Sequence, residues 1–158
     1  MEHTSTASVE ATNKPARLTL EIARKEFGRT LGPDGKPDLK HLYKYYRADA
    51  RFQDSIQVTH GRDAFVSLCN RLARRCSALR MDIHNAAQDG NIIFLHWTMT
   101  LSYVGTPSTP LYGTTLLTLD EDGQVVDHRD HYDLWGDTFD VIPGVGKLYR
   151  VLMKKFLG

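Results

Sequence analysis

From residue 79 onward the chain is built of four strand-length runs, 79–87, 91–104, 111–119 and 124–134, separated by short Gly- or Pro-containing turns. Consecutive strands joined by short turns pair antiparallel, so this half of the molecule is predicted to be a meander. The last turn, Asp120-Glu121-Asp122-Gly123, carries an Asp-Gly hairpin signal. The half before it reads differently. Residues 15–31 place Leu18, Ile22, Ala23, Phe27 and Leu31 at a helical period. Asp38 is a suitable N-cap for a short aromatic helix over 39–47. A short strand, 51–55, and an amphipathic helix over 62–76 follow, the latter turning Phe65, Leu68, Cys69, Leu72 and Cys76 inward and its arginines to solvent. Helices first and a meander afterwards define an α+β layout, with the helices packed on one face of the sheet.

At 158 residues the chain holds one domain with room for a sizeable core. Residues 1–15 are small and polar with no apolar run, and are expected to be a disordered tail rather than a signal peptide. The domain is then 16–158, with 137–158 a C-terminal helical extension. Twenty basic residues against 19 acidic ones give a net charge of +1, which argues against nucleic acid as a partner. Cys69 and Cys76 lie seven apart in one helix, too far apart for an easy disulfide, and read as reduced thiols of a cytoplasmic protein.

Chemistry concentrates in QVVDHRDHYDLW, residues 124–135. Side chains alternate along a strand, so His128, Asp130 and Tyr132 share one face, and Arg129, His131 and Asp133 the other. In the run 91–104, Ile93, Leu95, Trp97, Met99 and Leu101 form the drier face and are assigned to the core. Ile92, Phe94, His96, Thr98 and Thr100 form a half-polar outer face suited to a subunit contact. On 51–55, Phe52 and Asp54 point one way and Arg51 and Gln53 the other. No third ligand of clear spacing joins His128 and Asp130, so no metal is expected.

The order of elements resembles the nuclear-transport-factor-2-like superfamily, the cone-shaped fold of ketosteroid isomerases, SnoaL-type polyketide cyclases, limonene epoxide hydrolases and scytalone dehydratase. Three stretches carry the resemblance: DLKHLYKYYRADARFQDS (38–55), WTMTLSYVG (97–105) and HRDHYDL (128–134). The first implies that Asp54 stands where ketosteroid isomerases hold their general base. The second implies that Trp97, Met99 and Leu101 line the cavity. The third is similar to the WRDYFDL run of limonene epoxide hydrolases and implies that Asp130 stands where an aspartate activates water. The chain also departs from these families. Thr115 stands where isomerases carry a protonated aspartic acid, Phe27 is the nearest aromatic to their oxyanion tyrosine, and the hydrolases' Arg-x-Asp falls on Trp97 and Met99. These departures argue against literal steroid isomerisation and epoxide hydrolysis.

The resulting expectation is a small enzyme needing no cofactor, doing acid–base chemistry of the isomerase, cyclase or dehydratase type on an apolar, oxygenated molecule. Asp54, His128 and Asp130 would be catalytic; Trp97, Met99, Leu101, Thr115, Tyr132 and Phe27 would bind substrate. The alternatives are a non-catalytic ligand-binding module and a dimeric interaction protein. A homodimer through the outer sheet face is expected. The tail 146–158 is a basic amphipathic helix, predicted to fold back on the domain, with contact to an anionic membrane ranked second.

Overall fold

The computed structural model describes residues 16–104, 108–139, 142 and 144–157; the tail expected over 1–15 lies outside them. Helix α1 (Leu20–Gly28) is followed by a 3-10 turn (Lys40–Tyr45), strands β1 (Tyr46–Gln53) and β2 (Val58–His60), and helix α2 (Arg62–Arg75). Strands β3 (Ala78–Asp89), β4 (Ile92–Ser102), β5 (Thr109–Leu119) and β6 (Val125–Tyr132) form the meander, and a π-helical turn (Leu134–Phe139) leads to α3 (Val145–Leu157). One curved six-stranded sheet results, ordered β2-β1-β6-β5-β4-β3. Every neighbouring pair is antiparallel except β1 with β6, which run parallel with Phe52 opposite His128. That pairing brings the second chemical segment of the sequence beside the first.

The meander stands where the alternation of its side chains puts it. On β4, Ile93, Leu95 and Trp97 are buried while Phe94 is exposed, so the drier face does form the core. Phe27 and Ala23 from α1 and Phe65 and Cys69 from α2 pack against that face. Fully burying a residue such as Ile93 or Leu95 is worth about 2 kcal/mol, and this face contributes several of them. Gly113 on β5 is required by packing: a Cβ there would lie 2.4 Å from the Trp97 ring and 2.7 Å from the His131 carbonyl oxygen.

The first half departs from expectation where short helical signals meet the sheet. Helix α1 begins at Leu20, capped by Thr19, whose Oγ1 accepts from the Ile22 N–H at 3.3 Å, and it ends at Gly28 rather than at residue 31. The helix expected over 39–47 is only the 3-10 turn, although Asp38 Oδ1 does accept from the Lys40 N–H at 2.9 Å. A nucleus this short is marginal alone, and Tyr46 and Arg47 join β1 instead, where Tyr46 pairs with Val125 of β6. The strand expected over 51–55 therefore starts earlier, and Asp54 and Ser55 belong to the turn into β2, a three-residue strand too short to announce itself in sequence.

At the other end β6 stops at Tyr132. Asp133 then organises the π-helical turn: its Oδ1 accepts from the Gly136 N–H at 2.8 Å, and its carbonyl from the Asp137 N–H at 2.9 Å. The expected folding-back of the C-terminal helix is overturned. Leu148 is 62% exposed and Phe156 72%, and the contact shown for α3 is with the π-helical turn, where Tyr149 stacks on Trp135 at 5.1 Å. The apolar stripe of α3 is largely exposed instead of being packed on α1, α2 or the sheet.

Candidate functional site

Between the inner face of the sheet and the helices lies a cavity of about 530 Å³. Its wall is mostly aliphatic and aromatic, with Leu42, Leu68, Leu72, Leu79, Met81 and Leu111 among the lining side chains. Of the residues expected there, Phe27, Asp54, Met99, Leu101, Thr115, His128, Asp130 and Tyr132 all line it. Trp97 does not. It is fully buried behind the wall, and its Nε1–H donates to Thr115 Oγ1 at 2.8 Å. Close approach to Gly113 lets the indole lie back against β5, so Trp97 supports the wall from behind.

The deep end is a chain of hydrogen bonds. Thr115 Oγ1 donates to Asp130 Oδ1 at 2.5 Å, and His128 Nε2 stands 2.9 Å from the same oxygen. His128 Nδ1 stands 2.7 Å from the Tyr46 hydroxyl. Tyr46 is buried and this is its side-chain partner, so its O–H donates to Nδ1, and Nε2 carries the proton given to Asp130. Desolvation pushes the Tyr46 phenol well above its ordinary range, which keeps it a donor. Four rings enclose the imidazole, Phe52 at 4.9 Å, Phe65 at 5.5 Å, Phe27 at 5.8 Å and Tyr46 at 5.9 Å between centroids. His128 therefore sits in a dry box with both nitrogens engaged. Asp130 Oδ1 takes two donors while Oδ2 has no hydrogen-bond partner among the described residues, and the side chain keeps 19% exposure on the cavity.

Asp54 is held otherwise. Its Oδ1 accepts from the Ile56 and Gln57 N–H groups, both at 2.8 Å, so the carboxylate fixes the turn after β1. Its Oδ2 accepts from the Tyr132 hydroxyl at 3.3 Å. Burial, with Asp54 and then Asp130 nearby, raises the Tyr132 phenol far above its usual range, leaving a neutral O–H donor between two carboxylates.

Several residues of the site escaped the sequence reading. Tyr46, expected in a short helix, Phe52, expected on the Asp54 face of its strand, and Phe65, expected inward on its helix, form the box around His128; for Tyr46 the aromatic run LYKYY was the available signal. Cys69 also lines the cavity, its thiol raised to about 12, first by burial and then by Asp130. Arg71 and Arg75, assigned to a solvated helix face, are exposed as expected, and they also stand on the cavity rim. Facing away from the cavity, His84 and His96 lie 5.4 Å apart on the outer sheet face, His96 as expected. Among the described residues no group of three or more His, Cys, Asp or Glu side chains is arranged to hold a metal ion.

No curated protein matches the chain. Among solved structures, it is similar to an LEH-like epoxide hydrolase of M. tuberculosis at 16% identity, covering 88% of this chain and 90% of that one with a TM-score of 0.56. It is also similar to a hypothetical protein with a ketosteroid isomerase-like fold from Catenulispora acidiphila, in complex with trimethylamine; identity is 19%, coverage 59% and 73%, TM-score 0.54. An NTF2-like protein of unknown function from Burkholderia pseudomallei is similar at 18% identity, 61% and 79% coverage and a TM-score of 0.55. At such identities the likeness shows the fold. The profile of the SnoaL-like domain family matches residues 35–128, more than half of the chain and all of it from the 3-10 turn to the buried histidine. The chain belongs to the SnoaL-like domain family of the nuclear-transport-factor-2-like superfamily.

Proposed function

We propose that the cavity performs acid–base chemistry, of the isomerase, cyclase or dehydratase type, on an apolar molecule bearing a carbonyl or hydroxyl oxygen. The observation that carries this reading is the asymmetry of Asp130. Two donors hold Oδ1 in place, and Oδ2 is left toward an apolar cavity. A carboxylate oriented in this way is a general base with its reacting oxygen presented to the ligand. In the proposed step Oδ2 takes a proton from carbon beside a substrate carbonyl, forming an enolate. The Tyr132 O–H, now on Asp54 at a long 3.3 Å, turns to the enolate oxygen. The proton on Asp130 is then returned to a different carbon, or to a leaving hydroxyl. His128 and Thr115 position Asp130, and Tyr46 fixes the imidazole that does so. Asp54 braces the turn and Tyr132, a reduced role compared with the base its strand position suggests.

The test uses nitrobenzisoxazole, a flat apolar molecule that opens to a coloured cyanophenolate when a base removes its ring C–H proton and the N–O bond breaks. Turnover by the wild type should fall about 100-fold in Asp130→Asn, the range typical of a lost general base. Unchanged turnover in that variant removes Asp130 from the role. The second reading, a binding module without turnover, is favoured by the engagement of Asp54 in its own turn. It takes over if nitrobenzisoxazole binds and is not opened. Phe94 and Tyr112, exposed on the outer sheet face, fit the proposal that a second copy packs there.

A further inference from the structure

The cavity has a direction. Its deep end is made by Phe27, Phe52, Cys69, Thr115 and His128, all buried, whereas Ile56, Arg71, Arg75 and Tyr103 are exposed and so mark the rim. On α2 the spacing Leu68, Arg71, Leu72, Arg75 follows i, i+3, i+4, i+7, so one helical face turns two leucines and two guanidinium side chains to the same cavity. Neither Arg71 nor Arg75 has a hydrogen-bond or ion-pair partner among the described residues. Arg47, Arg51 and Arg80 are answered by Asp49, Asp127 and Asp82, whereas Arg24, Arg74 and Arg129, like Arg71 and Arg75, show no such partner among the described residues. Two like charges at i, i+4 disfavour the helix slightly, although Arg75 in the last turn suits the helix C-terminus and stands near Tyr103.

We propose that Arg71 and Arg75 form a station for the anionic head of the ligand, so that the cavity takes an apolar chain or ring system ending in a carboxylate. A guanidinium presents a planar fork that matches a carboxylate in two parallel hydrogen bonds, and two of them at a rim hold the head in water-accessible space while the apolar body goes inward. This geometry sends the end of the ligand remote from the acid group toward Asp130. The proposal rests on the cavity being the ligand site, but not on Asp130 doing chemistry there.

Decanoic acid and decanol are the probes, titrated calorimetrically into the full chain. The wild type should bind the acid at least tenfold more tightly than the alcohol, and Arg71→Gln with Arg75→Gln should bind both alike. Arg71→Lys with Arg75→Lys, which keeps the charge and loses the fork, should recover part of the preference. Equal affinity for acid and alcohol in the wild type, or a preference that survives the glutamine pair, overturns the proposal. If the preference holds while the wild type fails to open nitrobenzisoxazole, the acid–base reading falls and the anion station stands.

Helix α3 carries a second inference independently. Val145, Leu148, Tyr149, Leu152, Met153 and Phe156 occupy one side of it, and Lys147, Arg150 and Lys154 the opposite side with Lys155 at the border; the helix contains no acidic residue. The apolar side is largely uncovered, with Val145, Leu148, Leu152 and Phe156 all exposed. We infer that α3 docks on an anionic membrane surface, its apolar side in the acyl boundary and its cations at the headgroups. A second copy of the chain offers this helix a poorer seat at the cavity rim, where Arg71 and Arg75 would repel it. No described helix is long and apolar enough to cross a membrane, so α3 would lie on the surface. Leu134 lines the cavity and its neighbour Trp135 stacks on Tyr149, so the docked helix is tethered beside the cavity.

Sedimentation of the full chain with vesicles tests this. Vesicles of phosphatidylcholine with phosphatidylglycerol should bring the protein down, and vesicles of phosphatidylcholine alone should not. Leu148→Glu and Phe156→Glu should each reduce the bound fraction at least fivefold, and salt should release the wild type. No sedimentation with the mixed vesicles at low salt overturns the inference. So does a result in which the two glutamates leave vesicle binding unchanged but turn a dimer into a monomer, which would give this face to a second copy.

Discussion

Strand β6 and helix α3 are both two-faced in sequence, and the fold treats them in opposite ways. The inward polar groups of β6 meet partners from three other segments: His128 finds Tyr46, Asp130 finds Thr115 and His128, and Tyr132 finds Asp54. The apolar face of α3 is met by Trp135, stacked on Tyr149, and Leu148, Leu152 and Phe156 on it remain exposed. Periodicity says which residues share a face. It does not say what stands opposite, and that is decided by contacts remote in sequence. In β6 the sheet register supplies them. In α3 the π-helical turn supplies one, the Trp135 ring, and most of the apolar face is left exposed.

The largest expected effect tests whether the deep end is as integrated as this comparison implies. Phe65 stacks on Tyr46 at 4.7 Å, lies 5.1 Å from Phe52 and 5.5 Å from His128. Phe65→Ala should cost about 4 kcal/mol in urea unfolding, the cost typical of an aromatic removed from a core. Deleting residues 145–158 should change stability by less than about 1 kcal/mol, since so little of the helix is packed. A deletion as costly as Phe65→Ala would show that α3 supports the fold, and the contrast would collapse.

Next comes Gly113→Ala. The new methyl would stand 2.4 Å from the Trp97 ring and 2.7 Å from the His131 carbonyl, and backbone cannot yield as a flexible side chain can. A loss of about 2 kcal/mol is expected, as for overpacked cores. Quenching or a spectral shift of tryptophan fluorescence would report displacement of Trp97. A variant as stable as the wild type would mean that β5 and the indole separate easily. Thr115→Val addresses the same wall through its polar side. It leaves the Trp97 N–H without an acceptor and removes one donor from Asp130, at a cost of about 1–3 kcal/mol. Because Asp130 loses orientation as well, nitrobenzisoxazole opening should fall in this variant more than any folding loss explains.

The meander was legible because alternation is a local signal and four runs with short turns admit few pairings. The inward set His128, Asp130 and Tyr132 followed from it directly. Three things did not. The parallel pairing of β1 with β6 joins residues far apart in sequence, so the ring box around His128 was unreadable from either segment alone. Trp97 had the right face but the wrong depth, since the absence of a side chain at Gly113 let it withdraw from the cavity. Arg71 and Arg75 are on a solvated face as read, but helical periodicity cannot reveal the cavity mouth that the sheet creates beside them. The same blindness governs the outer face, where a homodimer through Phe94 and Thr98 is proposed. Replacing both with arginine should halve the mass by light scattering while leaving the circular dichroism spectrum unchanged; a dimer of unchanged mass would move the contact elsewhere.

The smallest effect is one of pH, and it separates the two regions again. Cys69 is buried at the cavity wall, and its thiol is raised from 9.0 to about 12 by burial and by Asp130. In the unfolded chain the same thiol ionises near its ordinary value, so above pH 9 the unfolded state releases a proton that the folded state keeps. Stability from this group is complete below pH 9 and is lost progressively as pH rises toward about 12. Tyr46, raised well above 10.0, adds a loss of the same sign at the upper end of that window. The urea midpoint of the wild type should therefore fall as pH climbs from 9, and Cys69→Ala, though less stable at neutral pH, should fall less steeply. Removing residues 145–158 leaves Cys69 and Tyr46 in place, so the truncated chain should keep the wild-type slope. Equal slopes for the wild type and Cys69→Ala would place the alkaline weakness outside the cavity.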